Sequence, residues 1–353
     1  MAHAPDARSP FFVLWRAFFA QFFTSESVTS DVHLRQTIVW VLAFLLPPGV
    51  FLMIFMFPEF QAAVIRAKFL RGPASYVDDL LIWIAVLFTT YSMVSTGFIT
   101  VLAWDALTFN RRDGMVLGGL PLKPCTILGA KLAALGSFVL AGSISINLLN
   151  SAVFALETSD QAGGAVLIKH FLSFLCATVG AGVFISAALV MVRAVVGLLG
   201  GPGLASACGP PLQFLFIVGL LCLLIFCPFV LHLSFGSAAF TNALPSVWFA
   251  GLFERLRGSP RATDPMFMVV NRRALIATPI AILGALIVSV AEFRRHMRLA
   301  VASPARPGVL GGAAISRTLA RLILGPEPGL QSDIRVHPAD ARPQSRATNA
   351  DCN

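Results

Sequence analysis

The stretch FLSFLCATVGAGVFISAALVMV, residues 171–192, decides the fold, because it runs over its whole length without a charged side chain. A bilayer core is crossed by about 20 apolar residues of α-helix, so this stretch predicts a transmembrane helix. Over all 353 residues, 57% are apolar and 12% are charged, whereas about a quarter of an ordinary soluble domain is charged. The composition therefore excludes a soluble globule and predicts an all-α polytopic membrane protein.

Six apolar stretches are long enough to cross a membrane. They are residues 37–57, 80–104, 132–156, 171–192, 214–235 and 274–291. The Gly- and Pro-rich residues 200–211 interrupt the apolar sequence before the fifth span and predict a turn there. Drawn in this way, the six spans contain no Asp, Glu, Lys or Arg. Because proton- or ion-coupled carriers need intramembrane charges, this pattern argues against that class.

An amphipathic helix is predicted before the first span. Residues 10–24 place Phe11, Trp15 and Phe18 at helical spacing, which is typical of a helix in the membrane interface. A signal peptide is the competing interpretation, but Arg16 interrupts the apolar run and no small-residue cleavage site follows. If the N-terminus is cytoplasmic, eleven of the Lys and Arg residues near the spans lie on the cytoplasmic side of the membrane and nine lie on the outer side. This difference favours a cytoplasmic N-terminus only slightly.

The sequence divides into three predicted parts. Residues 1–36 form a cytoplasmic N-terminus with the interfacial helix, and residues 37–298 form the six-span domain. Residues 299–353 are rich in Pro, Arg and Ala, and we expect most of this tail to be disordered.

Catalytic and metal-dependent functions find little support in the sequence. The six Cys residues form no CxxC pair and have no His partner at metal spacing, so neither disulfides nor a metal site is predicted. No H-E-x-x-H pair stands on a predicted helix, as an intramembrane metalloprotease would require. We therefore expect a chain that is not an enzyme and that holds no cofactor or metal.

Polar side chains form stripes on the second and third predicted spans. Those on the second span are Thr89, Ser92, Thr96 and Thr100, and those on the third are Ser143, Asn147, Asn150 and Ser151. One interpretation is that they line a substrate path. The other is that they hydrogen-bond between helices, where such bonds contribute about 1 kcal/mol or less.

The connection between the second and third spans is the segment best suited to bind a partner. It reads DALTFNRRDGMVLGGLPLKPCTILGAK, residues 105–131. A short helix here would present Met115, Leu117 and Leu120 beside a charged edge, a surface that fits a partner's groove. An ordinary cytoplasmic loop that follows the positive-inside rule explains the same charges.

The last predicted outer loop, residues 236–273, combines aromatic side chains with arginines. Trp248, Phe249 and Phe253 precede Arg255 and Arg257. This composition fits a partly re-entrant element, and it equally fits an interfacial loop anchored by its Trp.

These two segments resemble a known family. The pattern R-x-D at residues 111–113, followed by L-x-x-L-P at 117–121 and a Lys that opens the next span, resembles the cytoplasmic loop of type 2 ATP-binding-cassette (ABC) permeases. The segment LPSVWFAGLFE, residues 244–254, is similar to the one before the last span in a long bacterial subgroup of that family. Its motif residues are Pro245, Trp248, Phe249, Gly251 and Glu254.

The resemblance, which covers residues 10–298, implies a permease subunit of an exporter in the bacterial cytoplasmic membrane, with its N-terminus in the cytoplasm. A separate ABC ATPase would bind ATP and Mg and drive transport of an unidentified substrate, and a second permease copy or paralogue would complete the complex. Consistent with this division, the sequence has no G-x-x-x-x-G-K-[ST] phosphate loop. The residues implied to couple to the ATPase are Asn110, Arg111, Arg112, Asp113, Leu117, Leu120, Pro121 and Lys131.

Two further expectations concern the partners of the chain and an alternative function. The 26 Lys and Arg residues are scattered between apolar runs, so no nucleic-acid partner is predicted, and the lipid bilayer is the main surroundings. Members of the subgroup continue well beyond the sixth span, whereas this chain turns into its Pro-rich tail. A non-transporting membrane scaffold, or a degenerate and truncated permease, is therefore the alternative function.

Overall fold

The computed structural model of the chain describes residues 10–21, 31–69, 74–103, 123–159, 163–234 and 243–302, all within the first of two structural units, Met1–Arg306. Over these residues the chain forms seven α-helices and one 3₁₀ turn, and none of them lies in a strand. The elements are α1 (Pro10–Gln21), α2 (Asp31–Phe69), α3 (Ala74–Leu102), α4 (Pro124–Thr158), α5 (Gly164–Ser234), α6 (Pro245–Arg257), the 3₁₀ turn Pro260–Thr263 and α7 (Pro265–Ala302). The predicted all-α class is confirmed.

Within the described residues, six helical segments are long and apolar enough to cross a membrane. They are Gly49–Phe69, Ser75–Leu102, Cys125–Thr158, Gly164–Gly200, Cys208–Phe226 and Pro265–Arg295. Each overlaps one of the six predicted stretches, and the predicted N-terminal helix is present as α1.

The helices extend beyond the apolar stretches, and this overturns one expectation. Lys131, Arg193 and Glu292 each stand one position outside a predicted stretch, yet all three lie inside helices and are buried. The prediction that the spans contain no charged residue was therefore wrong. The helices continue through these charges because other helices bury them and supply their partners, so the argument against ion-coupled carriers no longer holds.

Helix α5 holds two spans that pack side by side. A Cβ atom added at Gly97 would lie 3.1 Å from Leu220 Cδ1 and 3.5 Å from Leu189 Cδ1. A straight helix would separate these two leucines by about 46 Å, so the chain reverses between them. The predicted turn at residues 200–211 was wrong as to conformation, because the backbone there is helical, although the chain does reverse before the fifth span.

Helix α3 lies at the centre of the bundle. Of its apolar window, 89% is buried inside the chain, compared with 22% for the windows of α2 and α7. An aromatic cluster that includes Phe88 in the middle of α3 joins five helices, α2 to α6. Phe154 and Phe174 stack with ring centroids 3.8 Å apart, and Phe253 meets both rings edge-on at 5.4 and 5.6 Å.

The bundle has two ends, because consecutive spans alternate in direction. The first turns of α4 and the last turns of α7 share one end with α1, which we call the α1 end. The first turns of α3 and α7 share the opposite end with the last turn of α6, which we call the α6 end.

Candidate functional site

Polar side chains meet where α3, α4 and α5 pack together. Asn147 Nδ2 donates to Ser92 Oγ at 2.8 Å, and Ser92 Oγ donates to the carbonyl oxygen of Thr178 at 2.8 Å. All three residues are buried. We call this contact, together with Thr96 and Ser143, the polar seam.

A glycine makes the polar seam this tight. A Cβ atom at Gly182 would lie 2.6 Å from both Ser143 Oγ and Thr96 Oγ1. No side chain fits there without displacing α3 or α4, which is the close helix approach that small residues allow in membranes. Gly182 was not among the predicted site residues, although its place in the small-residue run Gly180–Gly182 is the signal that could have identified it.

Several oxygens of the same α4 face have unfilled hydrogen-bonding capacity. Ser143 Oγ, Asn147 Oδ1, Asn150 Oδ1 and Ser151 Oγ are buried and have no hydrogen-bond partner among the described residues. Buried polar atoms are nearly always hydrogen-bonded, and an unfilled one points to an ordered water, a ligand or a change of conformation.

The structure places all six predicted path residues inside the bundle. Thr89, Ser92, Thr96, Ser143, Asn147 and Asn150 are each at most 2% exposed. In this conformation Thr89, Ser92 and Asn147 hydrogen-bond to neighbouring helices, as interhelical contacts do. That these residues line a path stays a prediction, and such a path requires α3, α4 and α5 to separate.

A buried group of charges lies at the α1 end. Arg193 Nη1 donates to Glu292 Oε2 at 3.3 Å, joining α5 to α7. Lys131 of α4 is buried, acts electrostatically on Glu292, and holds its Nζ 5.6 Å from the centre of the Phe18 ring of α1. We call Lys131, Arg193 and Glu292 the ionic cluster.

The ionic cluster is packed closely and consists of two cations and one carboxylate. Gly197 faces the Glu292 carboxylate, so that a Cβ atom there would collide with it. Charges inside membrane helices are rare unless they serve a pathway, a switch or an essential structural contact. Of the three, only Lys131 was among the predicted site residues. Arg193 and Glu292 were missed because the predicted spans ended one residue before them.

Helix α6 runs into the bundle instead of lying on its surface. Arg261, just after α6, pairs with Asp79 at 2.6 Å, whereas the carbonyl oxygen of Ser246 in its first turn accepts a hydrogen bond from Thr89 Oγ1 at 3.1 Å. Asp79 and Thr89 are about 15 Å apart along α3, so α6 penetrates the bundle by about that depth. Of the two interpretations of the outer segment, this geometry supports the re-entrant element.

The outer-loop motif residues lie on different faces of α6. Pro245 occupies its first turn, Phe249 packs against Gly180, and Gly251 touches Val270 of α7, where a Cβ atom would be 2.6 Å from Cγ2. Glu254 is fully buried and accepts a 2.8 Å ion-pair hydrogen bond from Arg257. Trp248 lines a cleft between α5, α6 and α7.

The predicted ATPase-coupling residues lie mostly outside the described part of the chain. Asn110, Arg111, Arg112, Asp113, Leu117, Leu120 and Pro121 all fall there. Lys131 is described, as is the attachment of α1 to the helix that follows the loop. Trp15 Nε1 donates to Ser137 Oγ at 3.2 Å, and Phe11 packs against Gly129. Among the described residues no three His, Cys, Asp or Glu side chains stand together as metal ligands.

These features define a class of protein. The chain is a multi-pass α-helical membrane protein with a short helix, α6, that enters the bundle, a buried polar seam and a buried ionic cluster. Comparison with family models, with curated proteins and with solved structures found no match to this chain.

Proposed function

We propose that the chain is the membrane-spanning permease subunit of an ABC exporter, driven by ATP hydrolysis in a separate ATPase subunit. The residue patterns at 111–121 and 244–254 supply the resemblance, and the six-span bundle with its N-terminal helix is compatible with it. In this proposal ATP and Mg are bound by the partner, the N-terminus is cytoplasmic, and two permeases form the path together.

The observation that carries the proposal is the attachment of the first turns of α4. This helix follows the predicted coupling loop directly. Its first four turns contact Trp15 and Phe18 of α1, and the α4 residues in this apolar contact are Ile127, Ala130 and Ala134. Lys131 on the same turns acts on Glu292 of α7. A force applied to residues 105–123 would therefore reach α1, α4 and α7 together.

The polar seam would be the part of the bundle that changes when such a force displaces α4. Helices α3, α4 and α5 meet there through a few polar bonds and the bare surface of Gly182. A displacement of α4 would separate these contacts, and the oxygens that lack partners in this conformation would then face a hydrated path. The ATPase shifts the equilibrium between the two arrangements only if it binds one of them more tightly.

The decisive experiment is affinity purification of the tagged full chain from its native membrane in a mild detergent. The wild type is compared with the double variant Arg112→Glu/Asp113→Lys. We expect an ABC ATPase with the wild type, its loss with the double variant, and a matching loss of vanadate-sensitive ATP hydrolysis. A control variant, Arg294→Glu/Arg295→Glu, changes two exposed charges near the end of α7 and should keep the ATPase.

The alternative function makes the opposite prediction. A scaffold or degenerate permease would be stable and abundant in all three samples, without an ATPase in any of them. That result would refute the proposal. Recovery of an ATPase that is indifferent to the loop change would refute the assignment of residues 110–121 as the coupling segment.

A further inference from the structure

A cleft of about 630 Å³ opens between α5, α6 and α7. Its walls are apolar over most of their length, with Phe184, Ala188 and Met191 from α5 and Trp248 from α6 facing Ile276 and Ile280 of α7. The cleft closes where α5 touches α7, because a Cβ atom at Gly284 would lie 2.6 Å from Met191 Sδ. It is therefore a wedge that narrows toward the α1 end.

The cleft opens sideways, toward the place where lipid would be. Val269, Ile276 and Ile280 border it and are 50%, 46% and 61% exposed. They belong to a helix that is itself long and apolar enough to span the membrane. An apolar cleft in that position is accessible from the hydrocarbon core, where hydrocarbon chains are the available occupants.

Two arginines mark the wide part of the cleft. Arg272 and Arg273 line it and are exposed, and Arg272 forms no ion pair with any described residue. Arg273 stands 19 positions before Glu292, about 28 Å along the helix, which matches the thickness of the hydrocarbon core. The two guanidinium groups thus lie near one boundary of that core, at the level of lipid headgroups.

Three carboxylates of the α6 end have arginine partners other than Arg272 and Arg273. Asp78 and Asp79 pair with Arg261, and Glu254 pairs with Arg257. A site that combines an apolar wedge with two cations at the headgroup level is complementary to an amphipathic anion. Arginine is well suited to this, because its planar guanidinium donates two parallel hydrogen bonds to a phosphate.

We propose that this cleft binds an anionic phospholipid, with one acyl chain in the wedge between α5 and α7 and the headgroup phosphate on Arg272 and Arg273. The site does not depend on coupling to an ATPase. Between Arg273 and Gly284 the wedge extends over 11 positions of α7, about 16 Å, which is about half of the hydrocarbon core. One leaflet's acyl chain occupies that depth.

The test is lipid binding to the purified full chain, measured by native mass spectrometry during titration with phosphatidylglycerol or phosphatidylcholine of identical acyl chains. We expect the first phosphatidylglycerol to bind at least tenfold more tightly than the first phosphatidylcholine. The variant Arg272→Gln/Arg273→Gln should lose this preference. The control Arg294→Gln/Arg295→Gln changes the same charge on exposed positions of the same helix and should retain it.

A second pair of variants tests the acyl chain separately from the headgroup. Ala277→Trp fills the wedge and should weaken binding of both lipids, whereas Leu275→Trp, on a lipid-facing position outside the cleft, should not. Glycerol 3-phosphate, which has the anion without the chain, should fail to displace phosphatidylglycerol. The proposal is overturned if the two double Arg→Gln variants change the lipid preference equally, or if the two Trp variants bind the lipids with equal affinity. It is also overturned if glycerol 3-phosphate displaces phosphatidylglycerol.

Discussion

Neutralising Glu292 should destabilise the chain more than neutralising its partner Arg193. Glu292 is the one carboxylate that faces both Arg193 and Lys131 in the ionic cluster. The variant Glu292→Gln removes the carboxylate that faces both buried cations. The variant Arg193→Gln leaves a carboxylate that still has Lys131 to compensate it, so the two partners of one ion pair are not equivalent.

The magnitudes follow from the geometry of the pair. The Arg193 and Glu292 side chains are 8% and 1% exposed, and their charged atoms are 3.3 Å apart. At an effective dielectric constant of about 20, two unit charges at that distance attract by about 5 kcal/mol. Removal of one partner from a buried pair is known to destabilise proteins by about 3–5 kcal/mol. We expect this loss for Glu292→Gln, and about 2 kcal/mol for Arg193→Gln, in the range of one hydrogen bond to a charged group.

A triple variant separates the charge effect from packing. Replacement of all three residues, Lys131→Met, Arg193→Met and Glu292→Met, removes every charge and keeps similar volumes. Buried ion pairs replaced by apolar residues of similar size are often neutral or stabilising, so we expect a change within about 1 kcal/mol of wild type. The free energy of unfolding is measured in mixed micelles by raising the fraction of sodium dodecyl sulfate and following Trp fluorescence.

The control is an ion pair at the other end of the bundle. Arg261 and Asp79 are closer, at 2.6 Å, but the Asp79 side chain is 60% exposed. Exposed pairs contribute about 0–1 kcal/mol, so Arg261→Gln should have little effect. The reasoning is refuted if Glu292→Gln unfolds within 1 kcal/mol of wild type, or if Arg193→Gln loses as much as Glu292→Gln.

Three further predictions concern the bundle core. Gly182→Ala should destabilise the chain by about 1–3 kcal/mol in the same unfolding assay, because its Cβ collides with the polar seam. Gly219→Ala, with open space around the new Cβ, should not destabilise it. Equal effects of the two variants would contradict the close approach of the helices at Gly182. Asn147→Cys should resist a water-soluble thiol reagent in the resting protein while the exposed Lys169→Cys reacts, and fast labelling of Asn147→Cys would show an already open path. Phe253→Ala removes the ring that meets Phe154 and Phe174 edge-on and should destabilise the chain by about 3–5 kcal/mol. Phe12→Ala should have little effect, because the Phe12 side chain is mostly exposed. A change below about 1 kcal/mol for Phe253→Ala would contradict the packing of this ring.

The spans could be predicted from the sequence because hydrocarbon thickness fixes the length of an apolar helix. The ends of the helices could not, because a charge at the edge of an apolar run is compatible with a loop or with a buried partner. Glu292 is the clearest case, since its partner Arg193 stands 99 positions away in sequence. The same limit applies to Gly182, whose importance depends on where Ser143 and Thr96 lie in space.

The segment 244–257 shows a second reason why sequence was insufficient. Its apolar and charged residues fit an interfacial loop and a re-entrant helix equally well. Contacts from other helices distinguish the two. Thr89 of α3 donates a hydrogen bond to the Ser246 carbonyl, and Phe249 packs on Gly180 of α5. A half-helix inside a membrane is tolerated only where protein satisfies its ends, and no local pattern encodes that condition.

The distribution of polar bonds indicates which helices would move together in a transport cycle. Helix α3 is joined to α5 by Ser92 to the Thr178 carbonyl and by Thr100 to Ser186, and to α6 by Thr89. At the α1 end α5 is joined to α7 by the Arg193–Glu292 pair, so α3, α5, α6 and α7 form one connected group.

Helix α4 is connected differently. It is attached to α1 through Trp15 and to α2 through the Gln61–Glu157 hydrogen bond of 2.8 Å, and it meets the other group through Asn147, Lys131 and the 3.2 Å hydrogen bond between Thr158 and His170. A movement of α4 with α1 and α2 would therefore break few polar bonds, and it would expose the oxygens of Ser143 and Asn147 that have no described partner. In that case the two interpretations of the polar stripes describe two states of one surface. The same side chains would hold the helices together in the closed arrangement and face the path in the open one.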